Sequence, residues 1–195
     1  MNFPLDFNFK IISLASRILV RDANQDLIGF VQQKFFKLKE DIRIYSDETK
    51  TRQIYNIKAD RILDFSANYT FYNEAGIEIG SIRRQGMSSI WKATYHLCDA
   101  NRTQVMQINE ENAWRKVGDA LLSELPIIGM FTGYFLNPSY LVSKTNGSIV
   151  ARLVKHPAFF ESKFQLSKNT ELSENEQHLV YLGTLMMTLL ERGRG

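Results

Sequence analysis

His96 and Cys98 stand two residues apart in a run that reads as a β-strand. Alternation puts both on one face, where a nitrogen and a thiol could hold a soft metal or support redox chemistry. The inventory is too small for that use. Histidine occurs at positions 96, 156 and 178 and cysteine at 98 alone, so neither a multi-cysteine metal site nor a helical His pair can be built. The plainer reading makes Cys98 a small core residue and His96 an ordinary strand residue. Acidic and amide groups at Asp22, Asp26, Asp47, Glu48, Asn73, Glu74 and Asp99 could offer oxygen ligands to calcium. They fall between apolar runs, where Asp and Asn accept hydrogen bonds from turn amides, and that role accounts for them without a metal. No G-x-S-x-G, Walker or G-x-G-x-x-G motif occurs. The expectation is a non-enzymatic chain with no catalytic residue, metal or cofactor.

Basic residues carry the better lead. Lys34, Lys37, Lys39, Arg43, Arg83, Arg84 and Lys92 lie in or beside strand-like runs rather than in a tail. On a curved sheet, outward positions of neighbouring strands can converge on one patch suited to a phosphate or an anionic lipid surface. Lys37 and Lys39 share a face. Arg83 and Arg84 are consecutive and point to opposite faces of a regular strand, so one of them joins an outward patch. The candidates for lipid or phosphate binding are Lys37, Lys39, Arg83 and Lys92. A formal net charge of +3, from 24 basic and 21 acidic residues, is too mild to suggest nucleic acid. A second lead is the apolar run 127–136. Its Ile128, Phe131, Tyr134 and Phe135 are candidate contacts for a protein partner if exposed, and a lid on the core if Pro126, Gly129, Gly133 and Pro138 bend the segment back.

The elements that must position these residues repeat. Ile18–Arg21, Arg43–Ser46, Tyr69–Tyr72, Tyr95–Cys98 and Tyr140–Ser143 are each followed by a short polar turn and a second alternating run, which is the signature of a hairpin. The turn-opening residues Asp22, Asp47, Asn73 and Asp99 are 25, 26 and 26 positions apart. Lys144 follows Asp99 by 45, so one repeat carries an insertion of about 19 residues. That insertion lies between 109 and 138 and contains an expected helix, 112–125. Ala75-Gly76 and Asn146-Gly147 supply the positive φ of tight turns, and the broken alternation Ile77, Ile79, Ile82 points to a bulge near Gly80.

The last element differs in kind. Ser173 and Glu176 form a capping box that opens a helix. From Leu179 to Leu190 only Gly183, Thr184 and Thr188 interrupt the apolar side chains, so no wide polar face exists. Twelve residues span about 18 Å, short of the roughly 30 Å of a bilayer core. A helix apolar on all sides and too short for a membrane must be surrounded by protein. Ten or more strands closing around it would do so and would also remove their exposed edges.

The hairpin repeats, the insertion reading Leu125-Pro126-Ile127-Ile128-Gly129 with Gly133-Tyr134 and Asn137-Pro138-Ser139-Tyr140, and the apolar terminal helix resemble the LURP-one-related and tubby-like C-terminal superfamily, which includes phospholipid scramblases. The resemblance implies a mainly β fold, a closed antiparallel barrel of about twelve strands around a buried C-terminal helix. In tubby proteins the domain binds phosphoinositide headgroups through basic side chains on the outside of the barrel, and the resemblance implies a comparable role. The chain lacks the cysteine-rich cluster and proline-rich N-terminal region of scramblases, so scramblase activity is not expected. At 195 residues with 44% hydrophobic content a single domain is expected over 1–195. Its parts are an N-terminal arm of about 1–8, a helical insertion of about 110–138 and a central helix of about 174–191. With one cysteine and no signal-peptide pattern, the expected setting is cytoplasmic, peripheral at the inner membrane surface, without a transmembrane span. The expected role is a binding module for anionic phospholipid headgroups, with a scaffold or regulatory domain for a protein partner as the alternative.

Overall fold

A computed structural model describes residues 1–12, 15–34, 41–61, 67–85, 94–111, 138–157 and 161–192. Twelve antiparallel strands follow one another round a closed barrel: β1 (Leu5–Ile12), β2 (Ala15–Arg21), β3 (Leu27–Lys34), β4 (Asp41–Tyr45), β5 (Gln53–Ala59), β6 (Asn68–Asn73), β7 (Glu78–Gln85), β8 (Thr94–Asp99), β9 (Gln104–Glu110), β10 (Ser139–Lys144), β11 (Ile149–His156) and β12 (Ser162–Lys168). Each pairs with its neighbour in sequence, and β1 pairs with β12 through Leu5↔Leu166 and Phe7↔Phe164 to close the ring. One helix, α1 (Glu174–Arg192), follows β12. The mainly β barrel with a C-terminal helix agrees with the expectation from sequence. β1 begins at Leu5, so the second half of the expected arm is strand, and Leu5 and Phe7 are fully buried. The expected helix 112–125 and the apolar run 127–136 lie outside the described residues.

Five turns share one geometry because the same short sequence plan dictates it. The amide three residues after the opener donates to the opener's carbonyl: Gln25 to Asp22, Lys50 to Asp47, Gly76 to Asn73, Arg102 to Asp99 and Gly147 to Lys144, at 2.8 to 3.2 Å. That same residue always has positive φ, from 62° to 87°. The opener's side chain accepts the amide four residues on in four of these turns, as with Asp99 Oδ1 and the Thr103 amide at 2.9 Å. A register shift next to each turn gives the hairpin with a bulge that three-residue loops favour. The carboxylates at the turns are thus engaged as backbone acceptors and hydroxyl partners. Thr49 and Thr51 donate to Asp47, which holds its carboxyl well below the usual range. All five turns lie at one end of the barrel, where α1 also enters, and the remaining strand connections leave from the other end.

The helix is built as its sequence dictates. Glu176 accepts the Ser173 amide at 2.9 Å and its own amide donates to Ser173 Oγ at 3.3 Å, closing the capping box. Residues 179–190 are all buried. Thr184 and Thr188 donate back to the carbonyls of Val180 and Thr184 at 2.8 and 2.7 Å, so their hydroxyls cost little in the core. Phe7 and Tyr55 pack on Tyr181 with ring centroids 6.0 Å apart.

The helix lies closest to β7 and β8, and small residues allow it. A Cβ at Gly183 would stand 2.5 Å from Leu97 Cδ2, and one at Gly80 would stand 2.3 Å from the Cys98 carbonyl oxygen and 3.0 Å from Leu179. Gly80 has φ +154 and sits in the β7 bulge expected from sequence. Across the core, Gly29 makes room for the Tyr181 hydroxyl, which is buried without a hydrogen-bond partner.

Gly80→Ala should therefore cost at least about 2 kcal/mol in urea denaturation, since backbone cannot yield. Gly76→Ala, in open space at φ +76, should cost only about 1 kcal/mol. Tyr181→Phe removes an orphaned hydroxyl and should leave stability unchanged or raise it by about 1 kcal/mol, measured the same way.

Candidate functional site

Strand alternation separates Arg83 from Arg84 as expected: Arg83 is exposed and Arg84 is buried. On the outer face Arg83 is flanked in register by Asn68 of β6 and His96 of β8. Beyond β6, Lys58 of β5 pairs with Thr70, and its Nζ lies 5.5 Å from the centre of the Tyr72 ring. Asn68 and Thr70, between the two cations, are joined by a 3.3 Å hydrogen bond. The face therefore presents two cations on alternate strands with polar side chains between them.

Its neighbours are compensated, whereas its own two cations have no ion pair among the described residues. Arg43 donates to Asp41 at 3.0 and 3.1 Å, Arg61 lies 3.3 Å from Asp60, and Asp60 also accepts the Asn68 amide at 3.0 Å. Further round the barrel Arg152 and Ser139 both donate to Glu111, at 2.6 Å each. Arg83 and Lys58 take part in none of the ion pairs among the described residues. Exposed charge without an internal partner is available to an external anion.

The charge of Arg83 registers on its neighbours. Burial, reinforced by Arg83, holds His96 below its ordinary value, so the imidazole is neutral at pH 7. Burial pushes the Cys98 thiol up, against a smaller downward pull from Arg83. Cys98 is partly exposed and shares the outer face with Ser81, its register partner. It is therefore not the core residue expected from sequence. Alternation with the buried Tyr95 and Leu97 turns it outward with His96. A raised thiol is also a poor nucleophile. Among the described residues no cluster of three His, Cys, Asp or Glu is placed to hold a metal.

Of the sequence candidates, Arg83 stands on this face. Lys37, Lys39 and Lys92 lie outside the described residues, as do Ile128, Phe131, Tyr134 and Phe135. Lys58 was missed by sequence reasoning. Its signal was available, since the openers Asp47 and Asn73 fix both hairpins and the alternation from Ile57 turns Lys58 outward.

A family model described as LURP-one-related matches residues 27–172. No curated protein matches the sequence. Among solved structures, the X-ray structure of an Arabidopsis thaliana protein aligns with a TM-score of 0.50 over 100% of this chain and 94% of that one. At 11% identity it shows a shared fold.

Replacing Arg83 with Gln should raise the His96 pKa toward the ordinary histidine value while leaving it below 6.5, because burial is the larger cause. An NMR titration of the imidazole reads this directly.

Proposed function

The chain belongs to the LURP-one-related family, and from that premise we propose that it is a non-enzymatic binding module that docks on the anionic headgroups of a phospholipid surface. The observation that carries this reading is the pair Arg83 and Lys58, exposed on the outer face of β5 to β8 and in no ion pair among the described residues. A guanidinium takes a phosphate through two parallel hydrogen bonds, and an ammonium adds a point charge beside it. Asn68 and Thr70 supply neutral polar groups between them.

The attachment is peripheral, at the cytoplasmic face of a membrane. Among the described residues no helix is long and apolar enough to cross a bilayer, and α1 is enclosed by the barrel. The basic residues Lys37, Lys39 and Lys92 extend the same binding role.

Flotation or sedimentation with vesicles tests the proposal. Retention by vesicles containing phosphatidylserine or a phosphoinositide should exceed retention by phosphatidylcholine alone and should fall as salt rises. Each surface cation contributes about 1 kcal/mol at such a membrane, so Lys58→Gln and Arg83→Gln should each weaken binding by about fivefold. Equal failure on charged and neutral vesicles at low salt would rule the lipid reading out.

A further inference from the structure

On the opposite side of the same strand the barrel interior holds a guanidinium that enters no ion pair among the described residues. Arg84 follows Ile82 on the inward face of β7, directly across from Tyr95 of β8, and is only 9% exposed. Its Nε is shielded from solvent and has no hydrogen-bond partner. Among the described residues it enters no ion pair. Arginine does not discharge itself by losing a proton in a protein, and a buried charge without a partner is strongly unfavourable.

The surroundings at this end of the interior sharpen the point. Tyr95 spends its hydroxyl on Glu191 of the last turn of α1. Glu110 is exposed at the rim, its carboxyl pushed up by partial burial and by Glu191. Further cations face the same way. Lys155 pairs in register with inward-facing Phe164, and the Arg192 guanidinium lies 4.9 Å from the centre of the Phe9 ring.

We propose that Arg84 anchors an oxyanion-binding site inside the barrel, at the end where α1 terminates, which takes the carboxylate or phosphate group of a small ligand on the fork of its guanidinium. The site is separate from the outer face, because Arg83 and Arg84 project from opposite sides of β7.

Thermal unfolding of the whole chain at constant ionic strength tests it, with sodium phosphate or sodium butyrate replacing sodium chloride. The melting temperature should rise saturably with one of the two anions. A response to phosphate alone identifies a phosphate ligand, and a response to butyrate alone a carboxylate. Arg84→Met should abolish the response and, in chloride, melt at or above the wild-type temperature, since an unpaired buried charge is replaced by an apolar chain of similar length. Arg84→Lys, which keeps the charge and loses the fork, should need at least about fivefold more anion for the same shift, and it decides the matter if Arg84→Met does not fold. Arg83→Gln should respond like wild type, which keeps this test independent of vesicle binding. The proposal is overturned if neither anion shifts the wild-type melt, as when water satisfies the guanidinium. It is also overturned if the Arg84 variants respond like wild type. A melt of Arg84→Met far below wild type in chloride would show that the chain supplies the partner, and would overturn it too.

Discussion

A helix with twelve consecutive buried residues cannot face water on any side, and the rest of the molecule follows from enclosing it. An open sheet would cover one side of α1 and leave two edges exposed. Closing β1 onto β12 covers every side and removes both edges at once. The enclosure then limits size on the inner face. Gly29, Gly80 and Gly183 stand where the helix and the wall approach too closely for a side chain. The aromatic residues Phe7 and Tyr55 pack on Tyr181.

The two barrel ends have different tasks because the connections differ. One end is fixed by five turns of identical hydrogen bonding, each with a residue at positive φ three positions after its opener. There the side-chain oxygens of Asp22, Asp47, Asn73 and Asp99 accept backbone amides and so serve the turns. At the other end α1 terminates, and the charged side chains Arg84, Glu110, Lys155, Glu191 and Arg192 meet the interior. Among the described residues Arg84 is the buried cation, and it enters none of their ion pairs.

Strand β7 carries a residue of each of the two proposed binding surfaces. Successive residues on a pleated strand project to opposite sides, so Arg83 lies on the outer face and Arg84 on the inner one with no loop or domain boundary between them. The same geometry makes the two roles separable by single substitutions. The neutral His96 reports on the outer face, since Arg83 contributes to holding it below its ordinary value.

The amino-acid sequence alone determined the hairpins, their turns, the β7 bulge, the capping box and the apolar character of the last helix. Each depends on residues within a few positions of one another: a period of two, an acceptor at the turn opener, a Ser173–Glu176 exchange. It also separated Arg83 from Arg84, because adjacency on a strand suffices for that. Only the tertiary structure decided that Leu5 and Phe7 belong to the wall, that Cys98 stands beside Ser81, that Lys58 and Arg83 flank β6, and that Arg84 lies opposite Tyr95 and enters no ion pair among the described residues. Those facts depend on register between strands and on closure between residues as distant as Leu5 and Leu166. The free energy of such pairings comes from burying both partners together, and neither partner's local sequence carries a mark of the other.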